Sequence, residues 1–265
     1  MTADSTSYAL DRDGSRHRLE LLENHVDRLT QRRLVELGIA RGWRCLEVGG
    51  GLGSVARWLS EQVGPEGRVT VTDLDTRHLQ ELSARTMPNT EVWKHDVTVD
   101  PLPESHYDLI HARWLLYHLS DPAKVCHRLV RALRPGGKVL LEDVDFFPLA
   151  AAHSRPFADA MLAIASAVGE PVERGGVWAA QALPQLFEAQ PVDDLAMNVK
   201  VDVVRGGSAM ARFWQMTGSQ MRARVERMRS IEMRTFDQVL EALGDAAFWS
   251  ISTAHVAISA QKRGR

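Results

Sequence analysis

Cysteine, tyrosine and long apolar runs are all scarce in this 265-residue chain. Its two cysteines, Cys45 and Cys126, form no C-x-x-C pair, and a chain of this length builds a core without disulfide staples. A reducing, cytoplasmic setting is therefore expected. The longest apolar stretch, FADAMLAIASAV (157–168), is too short for a bilayer and contains an acid. The opening residues, MTADSTSYALDRDGSRHR, are polar and lack the apolar centre of a signal peptide, so no membrane partner is expected. Neither sign of charge dominates: 32 Lys and Arg against 34 Asp and Glu give a net charge of −2. Without a basic field, no nucleic-acid partner is expected.

What is present is a regular alternation. Leu19, Leu22, Val26, Leu29 and Leu37 fall at helical spacing, with Gly38 where a carboxy-terminal cap belongs. RCLEVGG then predicts a strand and SVARWLSEQVG (54–64) a helix. GRVTVTDLD (67–75) predicts a second strand, RHLQELSARTM a helix, and TEVWKHDVTVD (90–100) a third strand. YDLIHARW (107–114) is the fourth, followed by a helix over 121–133. Arg-Pro-Gly-Gly (134–137) predicts a turn into a fifth strand, 138–146. Strands and helices alternating with short connections predict an α/β, doubly wound, Rossmann-like parallel sheet with its ligand beyond the carboxy ends of the strands.

The second half is different. Helices are expected at SRPFADAMLAIASAVG and VWAAQALPQLFEAQ, a strand at 193–204, a long helical stretch over roughly 208–243, and a last strand at 248–261. Seven of nine methionines lie between Met161 and Met233, and they suit either core packing or an adaptable apolar surface for a substrate.

The strand ends carry the chemistry. Gly49, Gly51 and Gly53 in EVGGGLG allow backbone to approach a ligand where a Cβ would collide, and Glu47 adds a carboxylate. From Gly49 the pattern is G-x-G-x-G; from Gly51 it is G-x-G-x-x-A, ending at Ala56, close to the dinucleotide fingerprint. Asp73 ends the second strand, where an acid pairs with ribose hydroxyls of any nucleoside. His95-Asp96-Val97 ends the third: a carboxylate accepting from an exocyclic amine, with the next N–H donating to a ring nitrogen, reads an adenine edge. The alternative, an NAD(P)-dependent oxidoreductase, lacks a Tyr-x-x-x-Lys pair at Tyr8, Tyr107 or Tyr117.

In order and spacing, EVGGGLG, VTDLD, KHDV, YDLIHARWLLYHL and LRPGGKVLLED resemble the class I S-adenosylmethionine-dependent methyltransferases of small molecules, over about residues 40–146. The resemblance implies S-adenosyl-L-methionine as cofactor and a seven-stranded sheet whose last strand is antiparallel. It also implies a helical amino-terminal segment (1–38), and a methyltransferase domain (39–265) with a helical insertion at about 206–243 between strands six and seven. It places Glu47, Gly49, Gly51 and Gly53 near the methionine moiety, Asp73 with Leu74 at the ribose, Asp96 and Val97 at the adenine, and His111 to Arg113 in the fourth-strand loop. Arg113 departs from the small or amide residue usual at its position. It could meet the cofactor's carboxylate, the substrate or an acid of the fold.

Methyl transfer needs alignment and exclusion of water, and a general base only if the acceptor must lose a proton. Candidates near the expected mouth are His111, His118, Asp143, Asp145 and His153, with His118, His153 and Asp143 foremost. Glu142, Asp143 and Asp145 converge poorly along a strand and no His-rich spacing appears, so no metal is expected. A small-molecule substrate is expected, hydrophobic or aromatic given the Met- and Trp-bearing second half (Trp178, Trp214). An S-adenosylmethionine-binding protein without methyl transfer is a third reading. The acceptor atom and the oligomeric state are not encoded in these patterns.

Overall fold

The computed structural model describes residues 15–80, 82, 87–168 and 180–264. Trp178 and most of RHLQELSARTM after Gln80 lie outside them. Helix α1 (Ser15–Glu36) comes first, then β1 (Arg44–Val48), α2 (Ser54–Val63), β2 (Arg68–Asp73), β3 (Thr90–Lys94), β4 (Tyr107–Arg113), α3 (Pro122–Ala132) and β5 (Leu133–Asp145). The second half supplies α4 (Arg155–Val168), β6 (Val192–Arg205), α5 (Ala209–Met228), α6 (Met233–Ala242) and β7 (Trp249–Lys262). The strands form one seven-stranded sheet in the order β3-β2-β1-β4-β5-β7-β6. β1 to β5 pair in parallel, and β7 is antiparallel. Lys262, at the end of β7, accordingly donates to the carbonyl of Leu133 at the start of β5. The strand order reverses between β1 and β4, which is where such sheets bind ligands.

Contacts divide the chain into two units. The unit built from residues 26–143, 180–199 and 256–265 has its core on the sheet. On α2, Val55, Ala56, Leu59 and Val63 share one face and bury against Val69, Val71, Leu79 and Leu109. Each buried side chain of that size contributes about 1.5–3 kcal/mol. Asp121 caps α3 by accepting from the Lys124 N–H at 2.9 Å, and Pro122 takes the first helical position, where its missing N–H costs nothing.

The other unit holds, among the described residues, 15–25, 144–168 and 200–255. Its helices α4, α5 and α6 pack at Gly218, where an added Cβ would meet Leu240 Cδ2 at 2.6 Å and Ile164 Cδ1 at 3.0 Å. Met161, Met210 and Trp214 are buried in this packing, so these three serve the core.

Three boundaries differ from the sequence expectation. The Arg-Pro-Gly-Gly turn is absorbed into β5: Tyr107 pairs with Leu133 and Leu109 with Lys138, so residues 134–137 form an irregularity in the ladder. Gly137 permits this, since a Cβ there would lie 2.7 Å from the Tyr107 carbonyl oxygen. The helical stretch expected over 208–243 consists of two helices, because Arg229 takes a left-handed conformation (φ 53°) that ends α5. The segments after β2 and before β6 are 3-10 turns, Thr76–Leu79 and Ala180–Phe187, the latter containing Pro184. Among the described residues no helix is long and apolar enough to cross a membrane.

Candidate active site

The glycine loop leaves β1 and folds over the end of β2, where Gly49 and Gly50 both donate to the Thr72 carbonyl, at 2.8 and 3.1 Å. Gly49, Gly51 and Gly53 all have positive φ (75°, 56° and 84°), conformations that L side chains rarely adopt. Gly50 is a glycine for another reason: a Cβ there would sit 2.4 Å from Val71 Cγ1. Alternation in the sequence singled out the other three and missed it. Gly53 caps α2 with no side-chain acceptor, so the helix presents its first N–H groups at the loop.

Asp73 meets this loop from β2. One carboxylate oxygen accepts from the Gly51 N–H at 3.2 Å and the other from the Asp75 N–H at 2.9 Å. Burial pushes the Asp73 carboxyl up, outweighing those two donors. Leu74 beside it is exposed. After β3, Asp96 accepts from the Thr98 N–H and hydroxyl at 2.9 and 2.6 Å, and Val97 is buried.

Beneath the loop lies a buried ionic network. Glu47 on β1 and His111 on β4 are register partners, and Arg113 is the partner of Glu142 on β5. Period-two alternation puts His111 and Arg113 on one face. His111 Nδ1 lies 2.6 Å from Glu47 Oε2, and Nε2 lies 3.0 Å from Glu142 Oε2. Both ring nitrogens face carboxylate oxygens, which only the doubly protonated ring can satisfy. Burial works against that cation, but Glu47 and Glu142 together raise its pKa to about 9. Glu142 is also buried, yet its bond to His111 leads the contacts that hold its carboxyl down at about 2.

Helix α1 completes the network. Arg33 donates to Glu142 Oε1 and, at 2.8 Å, to Asn198; Thr30 donates to Glu142 Oε2 at 2.6 Å. Arg113 donates to Thr30 Oγ1 at 2.9 Å and to Asp27 Oδ1 at 2.8 Å, and Ser54 at the start of α2 donates to the same Asp27 oxygen. Of the three partners open to Arg113, the geometry gives an acid of the fold. Asp27, Thr30 and Arg33 were not among the expected site residues. Their i, i+3, i+6 spacing, a polar line beside the apolar face of an amphipathic helix, was the signal available.

The base candidates divide between the two units. Asp143 is buried and accepts from the Tyr117 N–H at 2.8 Å, which fixes the turn after β4. His118 is half-buried on that turn, edge-on to Tyr117. In the other unit, His153 is exposed with its ring 5.2 Å from that of Trp249, and Asp145 is buried and accepts from the Phe147 N–H. Neither Asp143 nor Asp145 is the solvated strand-end acid it could have been. Between β4 and that turn, Trp114 holds a left-handed conformation (φ 52°), an outlier for a bulky residue. A cavity of ≈ 350 Å³ opens at the opposite, amino ends of β1 to β4, lined by Arg44, Thr70, Glu91 and Tyr107 among others. That is the wrong end of a doubly wound sheet for the expected ligand.

Residues 16–195 match the family described as a methyltransferase domain. The chain belongs to the class I S-adenosylmethionine-dependent methyltransferases. Among curated members, the ubiquinone/menaquinone biosynthesis C-methyltransferase of Pseudomonas savastanoi pv. phaseolicola is 30% identical over 128 residues, 46% of this chain and 50% of that protein. The chain thus spans about half the length of the curated relatives it matches. Solved structures share the fold at low identity. Phosphoethanolamine N-methyltransferase 2 of Haemonchus contortus, in complex with phosphomonomethylethanolamine and S-adenosylhomocysteine, aligns at TM-score 0.62 and 17% identity. That alignment covers 99% of this chain and 62% of the other. The YcgJ protein of Bacillus subtilis aligns at TM-score 0.61 and 15% identity, covering 94% and 99%.

The chain's own residues fit its family's cofactor. The glycine loop is open to backbone approach, α2 points uncapped N–H groups at it, and Asp73 stands beside Gly51. Glu47, His111 and Arg113 are the exceptions: the buried Glu47 is committed to His111, both His111 nitrogens face carboxylates, and Arg113 is paired with Asp27.

Proposed function

We propose that this methyltransferase transfers a methyl group from S-adenosylmethionine to a small, hydrophobic or aromatic acceptor in the cytosol. The observation that carries this reading is the Asp73–Gly51 contact, which joins the strand-two acid to the glycine loop beside the reversal of strand order. In this account the N–H groups of α2 and the loop take the amino-acid end of the cofactor. Asp73, with Leu74 beside it, accepts from the ribose hydroxyls, and Asp96 and the Val97 N–H read the adenine. The bound sulfonium supplies an electrophilic methyl group. Glu47, His111 and Arg113 act from beneath: neutralised in the ionic network, they hold the ends of β1 and β4 in register and are positioning residues.

The half-buried His118 is the general-base candidate for acceptors that must lose a proton, because imidazole is the side chain best suited to take up a proton near neutral pH. Asp143 positions the turn that carries it, and His153 is the alternative base. With Met161, Met210 and Trp214 committed to packing, the acceptor class rests on the C-methyltransferase relatives, whose name places them in the biosynthesis of two quinones, ubiquinone and menaquinone. The test is transfer of labelled methyl from S-adenosylmethionine across a panel of phenolic, quinol and amine acceptors. Turnover of an aromatic acceptor supports the proposal. Cofactor binding without turnover of any acceptor would favour the non-catalytic binding protein.

A further inference from the structure

Two histidines and an aspartate outside the glycine-loop site converge on one point. Asp202 lies on β6, His255 on the neighbouring strand β7, and His25 on α1, all within one unit. His25 Nε2 lies 2.7 Å and His255 Nε2 2.6 Å from the same oxygen, Asp202 Oδ2. The two imidazole rings are 5.7 Å apart, and the three donor atoms all lie within 4.8 Å of one another. We infer that His25, Asp202 and His255 form a binding site for a divalent transition-metal ion, zinc or a neighbour of zinc in ligand preference.

The donor set carries the choice of ion. Two imidazole nitrogens and one carboxylate oxygen suit zinc, cobalt, nickel or copper, whereas magnesium and calcium take oxygen ligands. Asp202 is mostly buried and so is His255, while the His25 side chain is 27% exposed, which leaves an approach from solvent. Lys200 Nζ sits 3.1 Å from Asp202 Oδ1, so the second carboxylate oxygen is already engaged and Oδ2 is left to bind the ion alone. Three protein ligands leave a fourth position for water.

An ion with bonds of ~2.0–2.1 Å spaces tetrahedral ligands by roughly 3.3 Å. The nitrogens therefore withdraw from Asp202 by a little over half an ångström on binding, within reach of side-chain rotation. No atoms or electrons are exchanged; His25 and His255 bind as neutral imidazoles and release any extra proton to water. The site ties the amino-terminal half of α1 to two strands. This site runs against the expectation of no metal, which rested on the poorly converging carboxylates of β5 and on the lack of a His-rich spacing. Separations of 177 residues (His25 to Asp202) and 53 residues (Asp202 to His255) hide this cluster from any motif.

The test uses the full chain without a polyhistidine tag, stripped with EDTA and titrated with cobalt(II). The site predicts one equivalent bound, with visible bands of four- or five-coordinate cobalt, no thiolate charge-transfer band, and displacement by zinc. Zinc raises the Tm of the stripped protein. His25→Gln and Asp202→Asn, with circular dichroism unchanged, each weaken binding at least ~tenfold and abolish the Tm rise. A cobalt spectrum that stays that of the aquo ion overturns the inference. So does stoichiometric binding that neither substitution weakens: the cluster is then only a carboxylate hydrogen-bonded by two imidazoles.

Discussion

Nδ1 of His111 stands 2.6 Å from Oε2 of Glu47, its register partner across β1 and β4. With Glu142 on the other ring nitrogen, this histidine is an imidazolium built into the sheet.

Its charge makes stability depend on pH. The folded pKa, about 9, lies above the ordinary 6.5, so the stabilisation is complete below about 6.5 and is lost as pH rises through about 9. The wild-type Tm should fall across that interval. Burial also raises the Cys45, Cys126 and Tyr117 groups, but those contributions decline only above their ordinary values of 9.0, 9.0 and 10.0. His111→Gln removes the cation between two buried acids and should cost about 3–5 kcal/mol near neutral pH. Differential scanning calorimetry over a pH series checks both: the variant's Tm should be flat between about 6.5 and 9.

Adjacent glycines should fail differently. Gly50→Ala drives a methyl into Val71 and should destabilise the fold by ~1–3 kcal/mol. Gly51→Ala strains a residue at φ 56° by ~1–2 kcal/mol and also places a methyl on the loop proposed to face the cofactor. Urea unfolding with cofactor titration separates them: both variants lose stability, and only Gly51→Ala also loses cofactor affinity.

Arg113 and Asp27 should be coupled. The pair is largely shielded, at 10% and 21% side-chain exposure, and shares Thr30 and Ser54 as further partners. A double-mutant cycle of Arg113→Met and Asp27→Asn should give a coupling on the order of 1 kcal/mol or more in unfolding free energy. Additive effects would mean that the arginine's principal partner lies elsewhere.

The fold was legible because its cues are local. Five apolar strands, four of them running into glycine or acid, and helices with apolar residues at spacings of three and four, announce a doubly wound sheet within windows of about ten residues. Asp73 and Asp96 could be located for the same reason: each closes a strand. His111 was singled out, but its role was not, because that role comes from Glu47 and Glu142 on neighbouring strands and from Thr30 and Arg33 on a helix far away in sequence. Nor could periodicity show that α5 stops at Arg229, since one residue's change of φ leaves the apolar pattern intact. The Arg-Pro-Gly-Gly turn misled for a related reason: its residues do favour a turn, and pairing of Tyr107 with Leu133 overrides them.

The central claim is that the glycine loop and Asp73 together bind S-adenosylmethionine. Isothermal titration of the wild-type chain and of Asp73→Asn, with S-adenosylmethionine and separately with NAD(P), tests it most directly. The account predicts one S-adenosylmethionine per chain and no NAD(P) binding. Loss of a charged hydrogen-bond acceptor in Asp73→Asn should weaken the cofactor ~10–100-fold. Wild-type affinity in Asp73→Asn, or NAD(P) bound in place of S-adenosylmethionine, would contradict it.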